Sequence, residues 1–257
     1  MLLAVVGSFF GLFGETLYKK IFERPTGPPV RVDRVALDIS EPGMASSGKM
    51  ILSAEELQQL NTAEQHFGPW LHAKGATALD GAQTIRVTLG NRRDTPLRVV
   101  ALDMVDRTCG PPLSGTLFES PTAGDEGVTE IAFDLDLDTS DPTATGTDPD
   151  TGDTFDFFDK LEIRLEPKGQ ASIDIVVHTL RQACTFAFEA TVLDGKDEPR
   201  LRIDHHGKPF SVTARRAYQD YQALYVGGVA TGSAECPVRG WVAQRPDTYD
   251  GIHCTLP

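Results

Sequence analysis

Basic charge is scarce. Only 24 lysines and arginines stand against 37 aspartates and glutamates in 257 residues, a formal net charge of −13. Nucleic-acid affinity comes largely from Lys and Arg displacing counterions, so this balance excludes nucleic acid as an expected partner. Catalytic signatures are lacking too: there is no G-x-S-x-G elbow, no H-E-x-x-H helix and no kinase motif set. The four cysteines include no C-x-x-C pair, which removes classical zinc spacing. No apolar run reaches the ~20 residues that a spanning helix needs. The opening MLLAVVGSFFGLFG is 14 uncharged residues, ended by Glu15. No internal repeat of solenoid period is present.

That opening still reads as an apolar anchor helix over residues 1–24, a signal anchor that an upstream start would lengthen. The alternatives are an interfacial helix, with Phe9, Phe13, Leu17 and Ile21 on one face, and a core helix. Lys19, Lys20 and Arg24 follow the apolar run and by the positive-inside rule would hold that flank in the cytoplasm, which weighs against export of the remainder. PTGPP, residues 25–29, is a stiff linker because proline fixes φ and favours extended chain.

Residues 30–230 read as one β domain. Val30, Val32, Val35, Leu37 and Ile39 alternate imperfectly with charged residues. Clean alternation places Ile85, Val87 and Leu89 on one face and Thr84, Arg86 and Thr88 on the other. TEIAFDLDL, KLEIRLEP, ASIDIVVHTL, CTFAFEATVLDG, RLRIDHHG and PFSVTA continue the series. Short strands without long intervening helices predict a mainly β fold, an immunoglobulin-like β-sandwich. One or two short helices are expected within it. One is announced by the capping box of Ser53 and Glu56, and another by the spacing of Ala217, Tyr218, Tyr221, Leu224 and Tyr225. Residues 231–257 form a C-terminal loop segment.

Cys109, Cys184, Cys236 and Cys254 are an even set, and disulfides are the natural reading if the domain is exported. Of three connectivities we favour Cys109–Cys184, joining two regions of the sandwich, and Cys236–Cys254, closing the C-terminal segment that contains Trp241 and Tyr249. GMASSGKM, residues 43–50, imitates a phosphate loop, but Met50 stands where a Mg²⁺ ligand belongs and no βαβ unit surrounds it; it reads as a connecting loop. His205 and His206 would point to opposite faces of a strand. Without a second histidine cluster they read as surface or turn residues, and His66, His72, His178 and His253 are scattered.

Residues 108–159 carry 13 acidic side chains and no basic one. In FDLDLD, Phe133, Leu135 and Leu137 are expected in the core and Asp134, Asp136 and Asp138 in water. Such a run of charge suggests an edge strand protected from further pairing. Asp148, Asp150 and Asp153 then present either a hydrated acidic loop, the favoured reading, or a weak calcium site whose spacing misses the EF-hand pattern. No other cofactor is expected.

PPVRVD, CGPPLSGTLF, FDLDLD, the FF before KLEIRLEPKG, IDHHGKPFSVTA and LYVGG together resemble an actinobacterial group of membrane-tethered proteins, over roughly residues 28–230. The resemblance implies an exported β-sandwich behind a transmembrane helix and supplies no activity, ligand or site residue. The expectation is a non-catalytic, membrane-anchored extracytoplasmic interaction module. Its partner would be a protein or another component of the cell envelope. The alternative is a cell-envelope enzyme, a hydrolase using carboxylates or His205.

Overall fold

The computed structural model describes residues 27–38, 43–63, 67–80, 83–120, 130–136, 142–227, 236 and 240–254. The expected anchor helix over residues 1–24 lies outside them, as do His66, Leu137 and Asp138. In chain order, β1 (Val30–Asp38) and β2 (Gly43–Ser46) precede helices α1 (Ala54–Thr62) and α2 (Phe67–Ala73). Next come β3 (Ala76–Leu79), β4 (Thr84–Asn91), β5 (Leu97–Gly110), β6 (Thr116–Glu119) and β7 (Glu130–Asp134). Then follow β8 (Thr145–Thr147), β9 (Thr154–Asp156), the single-turn helix α3 (Phe157–Lys160) and β10 (Ile163–Leu165). β11 (Gln170–His178), β12 (Ala183–Leu193), β13 (Arg200–Ile203) and β14 (Phe210–Thr213) lead to a 3₁₀ turn (Tyr218–Asp220), β15 (Ala223–Val226) and β16 (Val242–Gln244).

The chain is mainly β, in two sheets. One has six strands in the order β1-β4-β11-β7-β8-β9. The other has ten: β10-β5-β12-β14-β3-β2-β6-β15-β16, with β13 beside β12. Three pairings are parallel, β7 with β11, β3 with β14 and β6 with β15. No helix among the described residues is long and apolar enough to cross a membrane.

Alternation explains how the layers meet. Ile85, Val87 and Leu89 of β4 are buried while Arg86 is exposed, and Arg86 forms a bidentate pair with the directly opposed Asp174 of β11, both bonds 2.7 Å. The inner face of the first sheet packs on β5, β12, β13 and β14 in one core that includes Phe133, Phe186, Phe188 and Phe210. The rest of the second sheet is covered differently. Met44, Phe118 and Tyr225 face Leu60, Phe67 and Leu71 of the two helices together with Trp241. Ala45, Leu117, Leu224 and Val226 line the opposite face with Tyr221. The fold is therefore sheet on sheet at one end and helix on sheet at the other.

Local chemistry sets several elements. Ser53 and Glu56 form the reciprocal capping box that starts α1. The imperfect alternation of β1 is a register shift between Val32 and Arg34 that leaves Asp33 as the extra residue. Asp33 then accepts a hydrogen bond from Gln170 Nε2 at 2.7 Å.

Four expectations are corrected. The helix read from Ala217, Tyr218, Tyr221, Leu224 and Tyr225 is a 3₁₀ turn followed by β15. Leu224 and Tyr225 lie on opposite faces of the second sheet, and a four-residue strand between β6 and β16 overrides the local helical spacing. β7 is no edge: it lies between β11 and β8. Asp136 is not left in water, since it accepts from the backbone N–H of Leu180 and pairs with Arg181. With Asp134 accepting the Asp136 N–H at 2.8 Å, these bonds end the strand and make the repulsion of a charged face unnecessary. Three α-helices are present among the described residues where one or two short ones were expected.

Both disulfides have the favoured connectivity, Cys109–Cys184 and Cys236–Cys254. The first joins directly opposed residues of β5 and β12. The C-terminal segment contributes β16 to the second sheet and closes on itself through the second bridge.

Candidate functional site

The acidic turn between β8 and β9 is built by hydrogen bonds from its own backbone. Asp148 Oδ1 accepts from the N–H of Asp150 at 2.9 Å and of Thr151 at 3.2 Å, and its carbonyl accepts from Gly152 N–H at 2.8 Å. Asp150 and Asp153 are exposed. Among the described residues no three His, Cys, Asp or Glu side chains are arranged to hold one metal ion. We therefore expect Asp148→Ala to destabilise the protein by about 1 kcal/mol, the usual size of a lost turn or cap hydrogen bond, and Asp150→Asn to be silent. Thermal unfolding in millimolar calcium and in magnesium at matched ionic strength should give the same midpoint. A shift of several degrees seen with calcium alone, and lost in Asp150→Asn, would make this turn a calcium site.

The phosphate-loop look-alike is used for packing. Ser46 Oγ donates to Gly48 O at 2.7 Å and accepts from Thr116 N–H at 2.9 Å, while Thr116 Oγ1 donates to Met50 O at 3.0 Å and accepts from Met50 N–H at 2.7 Å. A Cβ on Gly115 would stand 2.2 Å from Gly48 O, so glycine at 115 permits the close approach of the two backbones. Lys49 is exposed.

A cluster that the sequence did not announce surrounds Glu119 at the end of β6. Its Oε1 accepts from the Tyr218 hydroxyl at 2.9 Å and from Arg215 Nη1 at 3.1 Å. Glu119 Oε2 and Ser120 Oγ are buried without a hydrogen-bond partner among the described residues. Burial, then the adjacent Glu119 charge, pushes the Tyr218 phenol up to about 12. Burial and the same charge raise Tyr249, whose ring meets that of Tyr218 edge to face at 4.9 Å. Burial opposes the charge on Arg215, yet Glu119 more than offsets it and raises the pKa. Tyr218 is consequently a neutral donor at ordinary pH and no base. The cluster locks the 3₁₀ turn and the Tyr249 segment against β6.

The second cluster is at the tip of the β13–β14 hairpin. His205 and Lys208 form a bridge, with His206 and Gly207 between them at positive φ, 56° and 81°. That is the backbone of a type I′ turn, and it requires glycine or a residue tolerant of the left-handed region. The turn overrides strand alternation, so the His205 and His206 rings meet at 5.0 Å instead of pointing apart. From α2, His72 reaches His205 with ring centroids 5.7 Å apart. His72 Nδ1 is buried and, among the described residues, unpartnered. The sequence could not show this: His72 lies 133 positions before His205, and only the parallel pairing of β3 with β14 brings the end of α2 beside the hairpin.

No carboxylate hydrogen-bonds to His205 or His206 among the described residues. The histidines that do meet one are elsewhere, His253 with Asp250 at 2.7 Å and His178 with Asp80 at 3.3 Å. A shallow cavity of about 690 Å³ lies beside the linker end, lined by Gly27, Pro29, Arg93 and Asp194 among others. There Arg93 donates to Asp194 at 2.9 Å and to Gly27 O at 3.1 Å, which pins the end of the linker where β1 begins. Comparison of the chain with protein-family models, with curated proteins and with solved structures finds no match.

Proposed function

We propose that the protein is a non-catalytic, membrane-tethered extracytoplasmic interaction module whose sheet-on-sheet end is an immunoglobulin-like sandwich. The observation that carries the reading is the pair of disulfides, which engages every cysteine in the sequence. Such bonds persist in oxidising compartments and are rare in a reducing cytoplasm. The tether is the apolar segment before the linker, and Arg93 fixes the point where the linker enters the domain. Its partner is a protein or other component of the cell envelope.

Protein from its native host, alkylated without reduction, should show four protected cysteines by mass spectrometry and fractionate with membranes. A tag at the C-terminus should be accessible from outside intact cells. Four readily alkylated thiols, or a tag reached only after lysis, would end the export reading.

A further inference from the structure

Three imidazoles from two separate elements meet at one place. His205 is in contact with His206 at 5.0 Å and with His72 at 5.7 Å, and its ring stacks over Phe210 at 6.5 Å with an interplanar angle of 24°. Neutral imidazoles pack in this way without charge repulsion. Imidazolium ions at the same spacing repel, and the partial burial of His72 and His205 weakens screening by water, while His206 is exposed. We propose that the contact between the β13–β14 hairpin tip and α2 is a proton-operated latch, closed while the central His205 ring is neutral and opened when acid charges it.

The charged neighbours of His205 decide the direction. His206 and Lys208 on the hairpin and His72 on α2 all oppose a positive ring; Asp204 alone favours one. Asp204 is already engaged, with Oδ1 accepting from Gly207 N–H at 2.7 Å and Oδ2 from Arg202 at 3.4 Å. Arg202 in turn pairs with Asp106 at 2.5 Å. Burial first, then repulsion from His206, His72 and Lys208, holds the His205 imidazole below its ordinary 6.5. A base depressed in the folded state contributes stability that is whole above pH 6.5 and drains away as pH falls through the folded value. The latch is thus closed at neutral pH and opens in acid. The hairpin itself need not unfold, because the His205–Lys208 bridge is made by backbone groups, at 2.9 and 3.2 Å.

The test is nuclear magnetic resonance of the full chain with labelled histidines. Cross-peaks between the His72 and His205 rings should be present at pH 7.5 and lost at pH 5, and His205 should titrate below 6.5. In His72→Ala the His205 midpoint should rise by about half a unit or more as one repelling neighbour is removed. In His205→Phe the contact with His72 should persist at both pH values. His206→Asn, which keeps a residue suited to the turn, should also raise the His205 midpoint and serves if His205→Phe does not fold. Ring contacts that persist at pH 5 with the imidazoles charged, or a His205 midpoint unmoved by both His72→Ala and His206→Asn, would overturn the proposal.

Discussion

Replacing Cys109 and Cys184 together by alanine should lower the stability of the oxidised protein by about 3–4 kcal/mol, within the usual range for a native disulfide. The bridge closes a separation of 75 residues, whereas Cys236–Cys254 closes 18. Loop-closure entropy grows by about 0.6 kcal/mol for each doubling of length, so the first bridge should outweigh the second by about 1 kcal/mol. Denaturant unfolding of the two double variants against the wild type measures both numbers. The local consequences should also differ. Loss of Cys109–Cys184 leaves the β5–β12 ladder in place, because the two strands remain paired along most of their length. Loss of Cys236–Cys254 should loosen the segment that carries Tyr249, detected as faster amide exchange around residues 247–254. A cost below about 1 kcal/mol for the first double variant would mean that the bridge does not constrain the unfolded chain as this account requires.

Phe188→Ala should be at least as damaging. Phe188 is fully buried on β12, and its ring meets Phe133 at 5.2 Å, Phe186 at 5.4 Å and Phe210 at 5.6 Å. Phe133 belongs to the six-stranded sheet and the other three to the ten-stranded sheet, so the cavity would open in the layer that joins them. Truncations of this kind cost about 3–5 kcal/mol, from lost transfer energy and from a cavity that relaxes only in part. In a chain of this size that corresponds to a fall of roughly 10 °C in Tm. A fall of only two or three degrees would show that the sheets close over the gap. Phe210 also lies under His205, so the same variant should shift the His205 midpoint toward its ordinary value as the ring gains water.

Much of the local structure was legible because it is written in neighbouring residues. The alternation of Ile85, Val87 and Leu89 with polar residues determines a strand with one buried face whatever lies opposite it. Ser53 and Glu56 determine a helix start because both partners of the capping box are three positions apart. Four cysteines without metal spacing determine that bridges are the reading to test, and the favoured pairing agrees with proximity in space. Tertiary structure decided what depends on partners distant in the chain. The acidic run of β7 could not reveal that Leu180 and Arg181, more than forty positions away, take up Asp136, or that β11 and β8 flank the strand. The spacing of Tyr221, Leu224 and Tyr225 suits a helix until β6 and β16 offer backbone pairing on both sides. Nothing local linked Glu119 and Arg215 to Tyr218, which the spacing placed on a helix, and His72 was one of the scattered histidines. They meet because parallel pairing of β6 with β15 and of β3 with β14 joins segments some 100 to 135 positions apart. Periodicity along a chain reports which residues share a face. It carries no record of which strand arrives beside that face, because strand order is set by the total burial of both sheets and not by any local preference.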